Sequence, residues 1–461
     1  MHEKTTKNAD GTVRSLSNRH VQMIAISGTI GTGLFLGSGS TISETGPSIL
    51  LIYLIMGIVF FLMMRAIGEM FYTDPNQHTF VTFINRYLGH TIGTFTGWSY
   101  WLSLVFGSMA ELTAIATYVN YWFPNIPAWI IEVVFLVALM MINLIAARLF
   151  GEAEFWFSMI KIIAIVALIV TGLIMAFTHV RTPLGHASLA NLTNHFTLFP
   201  HGSFSFFAAF PMVFFAFQGI EFVSITLGES KNPRQVVKKS VNETLFRIMI
   251  FYIGALAVIM AVIPWTSITA DKSPFVQVFA LAGLPAAAAI INFVVLTSAA
   301  SALNSIIFSA GRHLYQLADD SNSDGVISRS LTHVSKNGIP VGSIVVTSVL
   351  ILIGPMISVA HSVDFMFTLV SGATSDMSVI VYLLTMFAHR KYRQSSDFLD
   401  QGFKMPGYAF TSPLTIAAFI FIFASLLIIP ADAIGAISAV VWVVAYAIGV
   451  AVKRFTSRSY A

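Results

Sequence analysis

Ser27-Gly28-Thr29-Ile30-Gly31-Thr32-Gly33 lies in the middle of the first long apolar segment, and Phe215-Ala216-Phe217-Gln218-Gly219-Ile220-Glu221 lies in the middle of the sixth. Neither run suits an uninterrupted apolar helix. At bilayer depth the backbone leaves helical hydrogen bonding only where it is buried in protein or lines a cavity. Two such interruptions at matching places in two halves of a chain point to a substrate site between them.

The composition sets the frame for that reading. Of 461 residues, 56% are hydrophobic and 10% charged, against about 25% charged in soluble domains. The chain is therefore an integral membrane protein. Helical spans need about 20 apolar residues, and twelve are predicted, near 19–42, 46–72, 92–122, 127–147, 153–178, 203–228, 241–264, 284–317, 339–360, 363–388, 413–430 and 434–453. The predicted fold is all-α and polytopic. With the N-terminus inside, 21 of the 25 Lys and Arg fall on the cytoplasmic side, Arg65 and Lys161 fall within spans, and only Arg181 and Lys272 fall outside. That asymmetry follows the positive-inside rule and places both termini of a multi-pass membrane protein in the cytoplasm.

Residues 1–18 read as a cytoplasmic tail, 19–388 as a transport core, 389–412 as a cytoplasmic loop, and 413–461 as two further helices with a C-terminal tail. The tail is polar and without periodicity. The first apolar segment is too long for a signal peptide and lacks an A-x-A cleavage site. No cysteine is present, which excludes disulfides, thiol catalysis and Cys-ligated metals. The twelve histidines lie mostly in loops with no metal-binding spacing. No stretch is long enough for a soluble catalytic domain, so an enzyme is not expected, nor is a nucleic-acid partner. The lipid bilayer is an expected partner, and the oligomeric state is open.

Gly28, Gly31 and Gly33 free the first break from helical geometry. The half-helix beginning near Thr32 and Gly33 would present unpartnered N–H groups to a carboxylate. Carbonyls near Ser27–Thr29 would accept from an ammonium, and the pairing suits a zwitterionic α-amino acid. Gly33 and Gly37 also form a G-x-x-x-G, which equally describes close helix packing. In the second break, carbonyls of Ala216 and Phe217 would share the ammonium, with Phe215 and Phe217 covering the ligand as a gate.

Ionisable residues at depth are costly and usually functional. Glu221 is either an anchor for the unwound segment or a protonatable gate. Lys161 either snorkels to the interface or points into the bundle, where losing a proton would couple uptake to a gradient. Glu111 and Asp376 are further gate or proton-path candidates. Arg65 and Glu69, four apart, pair on one helix face, and Arg148, Glu152 and Glu154 form a solvated network at an inner loop. The wall opposite the breaks is expected from spans 3 and 8, through Met109, Asn292 and Ser298.

The stretches Leu16–His20, Gly28–Gly33, Leu34–Gly39, Gly46–Ser48, Met64–Met70, Gly97–Trp101, Gly151–Phe157 and Gly228–Pro233 run through the chain. Together they resemble the bacterial amino acid transporter family of the amino acid–polyamine–organocation superfamily. Lys272–Phe275, Gly283–Ala286 and Leu296–Ser301 look most like its D-serine/D-alanine/glycine branch. The resemblance implies a 5+5 inverted repeat with broken helices 1 and 6 plus two extra helices. It implies that Thr32 and Gly33 meet the carboxylate, and that Gly28, Thr29 and Phe215–Gln218 meet the amine. Lys161 matches a fifth-span lysine credited with proton coupling; Phe215 stands where some members carry a tryptophan gate. The expected function is import of small neutral amino acids by alternating access, without cofactor and with the proton as coupling ion. Exchange, or a different amino acid class, is the alternative. A major-facilitator carrier would need a basic motif after the second span, where the chain has Tyr72–Gln77. A membrane enzyme would need a clustered acid–base or metal site, and a channel or sensor would fail to accumulate substrate.

Overall fold

The computed structural model describes residues 6–7, 13–14 and 18–459, apart from positions 76, 78, 146, 195, 228–229, 231–232, 270–272, 284, 321–324, 336–337 and 429–432. Most of the 1–18 tail, Lys272, and residues 228–229 and 231–232 of the Gly228–Pro233 stretch thus lie outside the described residues. So do the side chains of Arg148 and Glu152. Within the tail, Thr6–Lys7 (β1) pairs antiparallel with Val13–Arg14 (β2), a short hairpin that the sequence reading did not anticipate.

The architecture is all-helical across the membrane. The first half runs α1 (Asn18–Thr29), α2 (Thr32–Phe35), α3 (Gly37–Thr45), α4 (Ile49–Thr73), α5 (Val81–Leu88), α6 (His90–Asn120), α7 (Ala128–Ile145) and α8 (Ala147–Phe177). A small hairpin, Arg181–Thr182 (β3) with Gly185–His186 (β4), follows. Then come α9 (Gly202–Ala208), α10 (Phe210–Phe217), α11 (Phe222–Leu227), α12 (Pro233–Val262), α13 (Pro274–Leu281), α14 (Pro285–Asp320), α15 (Val326–Leu331), α16 (Val341–Ile351), α17 (Ile353–Ser358) and α18 (Val363–Tyr392). The chain ends in α19 (Tyr408–Ile428) and α20 (Ala433–Ser459).

Among the described residues, ten helical stretches are long and apolar enough to cross a membrane. Two shorter apolar helices, Val21–Phe35 and Gly435–Ala451, stand where the first and twelfth spans are expected. The first of them contains the interruption between Thr29 and Thr32. Apolar residues here sort by contact rather than by polarity. On α4, Ile52, Tyr53, Met56, Phe60, Met63 and Ile67 are buried at helical spacing, whereas Leu51, Leu54, Ile55 and Ile58 face outward. In water that second face would be a liability; in lipid it is the solvent-compatible surface. The α4 helix packs on α12, and α6 packs on α18 and α14.

One expected pairing is replaced. Arg65 and Glu69 do not pair, although helical spacing allows it. Glu69 is buried, forms an ion pair with Arg393 (Nε to Oε1 2.6 Å), and accepts from Arg393 Nη2 at 2.9 Å, His389 Nε2 at 3.0 Å and the Met405 amide at 2.8 Å. Arg65 instead donates to Asn242 Oδ1 at 3.0 Å and to the Lys404 carbonyl and lies over the Phe403 ring at 3.9 Å. A buried carboxylate needs several donors at once, and Arg393, His389 and the Met405 amide together supply them. The result is a clasp that pins the segment after α18 onto α4.

Removing one partner of a buried pair costs about 3–5 kcal/mol. Glu69→Ala should therefore lower the thermal unfolding midpoint in detergent clearly. Asp400→Ala, which breaks only the exposed Lys404–Asp400 pair, should leave the midpoint nearly unchanged.

Candidate functional site

Helix α1 stops at Thr29 and α2 starts at Thr32, with Gly31 extended between them (φ −122°, ψ −152°). Helix α10 stops at Phe217; Gln218 is extended (φ −63°, ψ 154°) and Gly219 left-handed (φ +91°) before α11 begins. Both spans are therefore broken where the glycines stand, and the two breaks abut. A Cβ on Gly219 would lie 2.5 Å from the Gly28 carbonyl oxygen. One on Gly33 would lie 2.6 Å from Ala216 Cα, and one on Gly37 would lie 2.6 Å from Met212 Sδ. The G-x-x-x-G is thus a packing face for α10 as well as part of the break. A bulky residue at Gly33 would force α2 from α10, not simply obstruct a ligand.

The freed carbonyls are satisfied from other helices, as buried backbone requires. Lys161 of α8 is fully buried, so it does not snorkel. Its Nζ donates to the Ser27 carbonyl at 2.7 Å, the Ile30 carbonyl at 3.0 Å and Ser27 Oγ at 3.3 Å. Ser298 Oγ also donates to the Ile30 carbonyl, at 3.0 Å. The Tyr252 hydroxyl of α12 lies 2.8 Å from both the Thr29 and Ala216 carbonyls, spanning the two breaks with one group. Ser27 and Ile30 are accordingly engaged by the protein, and the substrate ammonium expected at Ser27–Thr29 has only part of that set to share.

Glu154 is not in a solvated network. It is fully buried and seven residues before Lys161, on the same helix face. Its carboxylate accepts from Ser27 Oγ at 2.6 Å, Ser301 Oγ at 2.7 Å and Asn304 Nδ2 at 2.6 Å, and Asn143 Nδ2 donates to Asn304 Oδ1 at 2.7 Å. A lysine and a glutamate buried together, each hydrogen-bonded, are the form in which charge persists in an apolar interior.

Glu111 of α6 meets the first break from the opposite side. Its Oε1 accepts from the Thr32 amide at 3.3 Å and Thr32 Oγ1 at 3.2 Å. A Cβ on Gly31 would run into that same oxygen. A protein carboxylate therefore occupies the amide expected to receive a substrate carboxylate. Glu221 anchors the second break: Oε2 accepts from the Gly219 amide at 3.0 Å and Oε1 from the Tyr100 hydroxyl at 3.1 Å.

Between the breaks lies a cavity of about 40 Å³ bordered by Gly28, Thr29, Gly31, Gly33, Glu111, Phe215, Gln218 and Glu221 of the expected residues. That holds about three waters, fewer than the heavy atoms of glycine, so the space between the breaks is narrower here than a bound amino acid requires. A second cavity, of about 290 Å³, lies beside α3, α9 and α18 and shares Phe215 with the first. Phe215 is thus the partition between them.

Several expected residues lie elsewhere. Phe217 points away, stacking on Phe60 (5.4 Å between ring centres) and tilting against Tyr252 (5.2 Å). Ala216 contributes only its carbonyl, and Thr32, Lys161 and Ser298 stand behind the cavity wall. Met109 packs against Gly354 of α17; two residues from both Gly107 and Glu111, it faces the other side of α6. Asn292 Nδ2 donates to the Tyr118 carbonyl at 2.9 Å, tying α14 to the end of α6. Asp376 packs against Gly435 of α20. The wall that sequence reasoning missed is Ser103, Gly107, Ile306, Thr374 and Ser378. The four-residue spacing of 103, 107 and 111 was its available signal.

Tyr252→Phe keeps the ring contacts and removes the bridging hydroxyl. Orphaning a buried acceptor costs about 1–3 kcal/mol. The variant should unfold at lower temperature and bind alanine more weakly by equilibrium titration; wild-type values for both would remove the bridge from the site.

Comparison with known proteins identifies the family. The amino acid permease family model matches residues 20–459. A DL-alanine permease of Lactococcus lactis is 48% identical over 433 residues, covering 94% of each chain. A serine permease of the same organism is 45% identical, covering 93% of this chain and 95% of its own. The D-serine/D-alanine/glycine transporter of Escherichia coli is 42% identical, covering 89% of this chain and 87% of its own. A multi-pass helical chain whose two broken spans abut around a small cavity, matched by a family model over nearly its whole length, is a transporter rather than an enzyme, and it belongs to the amino acid permease family.

Proposed function

We propose that the chain imports small neutral amino acids, alanine, serine and glycine with their D-enantiomers among them, across the bacterial plasma membrane by alternating access coupled to protons. The observation that carries this reading is the pair of abutting breaks around a cavity partitioned from a larger one by Phe215. The names of the relatives support the substrate class.

The substrate carboxylate would take the Thr32 and Gly33 amides, displacing Glu111. The ammonium would use lone pairs left at the Gly28, Thr29 and Phe215–Gln218 carbonyls. Swinging Phe215 aside would join the two cavities and admit the ligand. Residues 19–388 would form the transport core, within which the four-helix bundle containing spans 1 and 6 would rock against a scaffold, with both termini cytoplasmic.

Lys161 would be the coupling group. Its ammonium is matched here by three acceptors and a nearby glutamate, an environment suited to the protonated form. Coupling then requires the opposite-facing state to withdraw the Ser27 and Ile30 carbonyls as α1 moves. A ligand shifts such an equilibrium only by its differential affinity for the two states. If Lys161 keeps its proton throughout, the protein exchanges amino acids instead, and the full complement of acceptors favours that second reading.

Proteoliposome uptake separates them. Wild-type protein should concentrate radiolabelled alanine when a proton gradient is imposed. Lys161→Ala, monodisperse in detergent, should lose that accumulation while retaining some counterflow. Full accumulation by the variant would remove Lys161 from coupling. Competition by a panel of D- and L-amino acids fixes the substrate range in the same assay, and failure of small neutral species to compete would overturn the proposed class.

A further inference from the structure

Five glycines border the cavity between the breaks: Gly28, Gly31, Gly33, Gly107 and Gly219. Packing accounts for four of them. A Cβ on Gly28 would enter the Phe222 ring, and one on Gly31 would enter the Glu111 carboxylate. One on Gly33 would press on Ala216, and one on Gly219 would press on Gly28 from a left-handed backbone.

Gly107 is different. It lies in the middle of α6, where glycine is a poor helix former, and nothing close excludes a side chain. The nearest atoms to its Cβ position are Thr374 Cγ2 at 3.5 Å, Ile306 Cδ1 at 3.9 Å and Thr374 Oγ1 at 3.9 Å, all at ordinary contact distance. A methyl there would displace no neighbour and would take up space at the cavity wall.

We infer that Gly107, facing Thr374 and Ile306, forms the compartment for the substrate's side chain and sets its upper size. The inference rests on the cavity being the amino acid site and names what selects among amino acids there. With carboxylate and ammonium against the two breaks, the side chain leaves Cα toward the opposite wall. That wall is α6, α14 and α18. Ser103, Gly107 and Glu111 lie one turn apart on one face of α6, with Glu111 at the carboxylate end. Thr374 Oγ1 donates to the Val370 carbonyl at 2.6 Å, which leaves its lone pairs to accept from a serine hydroxyl. The compartment therefore suits hydrogen, methyl or hydroxymethyl.

The test is proteoliposome uptake of glycine, alanine and threonine by full-length wild-type, Gly107→Ala and Ile306→Ala proteins. One methylene-sized change in an apolar pocket alters discrimination about tenfold or more. Gly107→Ala should raise the glycine-to-alanine ratio of kcat/KM by that factor, and Ile306→Ala should raise the threonine-to-alanine ratio. An unchanged glycine-to-alanine ratio in Gly107→Ala overturns the inference. If Gly107→Ala fails to fold, the threonine-to-alanine ratio of Ile306→Ala decides: a raised ratio supports the inference, and an unchanged one overturns it. Absence of glycine and alanine uptake by the wild-type protein would instead overturn the underlying reading of the cavity.

Discussion

Main chain lying directly on main chain, Gly28 against Gly219 and Gly33 against Ala216, is the contact on which the rest of this molecule depends. Two helices approach that closely only where side chains are absent. Because both are also unwound there, the contact brings carbonyls and amides freed from helical pairing in two parts of the chain, 183 to 191 positions apart, to one place at bilayer depth. An interior without water must then satisfy those groups from protein. Lys161, Ser298, Tyr252, Glu111 and Glu221 do so, each from a different direction.

That arrangement explains why so many polar side chains are tolerated inside an apolar bundle. Unsatisfied backbone groups in hydrocarbon cost several kcal/mol each, so the lysine and the glutamates are compensated expenses, not isolated charges. It also explains why the site is bistable in principle. Apart from Glu221, which lies in the second break itself, every group named as holding a break belongs to a neighbouring helix, and moving α1 or α11 relative to α8, α12 or α6 exchanges one set of partners for another. Glu111 already stands on the Thr32 amide, so an incoming carboxylate would meet a like group and replace it without leaving the amide bare.

Much of this was readable in the sequence, and what was not has identifiable causes. Glycine and polar residues at depth marked both breaks, and the glycines Gly33 and Gly37 serve close packing on α10 as well. Lys161 and Glu111 were recognisable for the same reason. Glu154 was misplaced because Arg148 and Glu152 nearby suggested a solvated loop, while its true partners, Ser27, Ser301 and Asn304, lie more than a hundred positions away. Tyr252 gave no signal: a tyrosine in an apolar span reads as core until the two carbonyls above its hydroxyl are known. Met109 failed by rotation, since two residues along a helix turn a side chain through about 200°, and Gly107 and Glu111 hold the cavity face. Arg65 and Glu69 had the spacing to pair, but Arg393 and His389 came from a helix that sequence distance hides.

The central claim is that an amino acid sits between two unwound segments and is held chiefly by their main-chain groups. A cryo-electron microscopy structure of the full chain with bound alanine tests it most directly. The account predicts ligand density between Gly28–Gly33 and Phe215–Gly219, its carboxylate at the Thr32 amide with Glu111 moved off. Alanine bound elsewhere, or continuous helix through either segment, would contradict it.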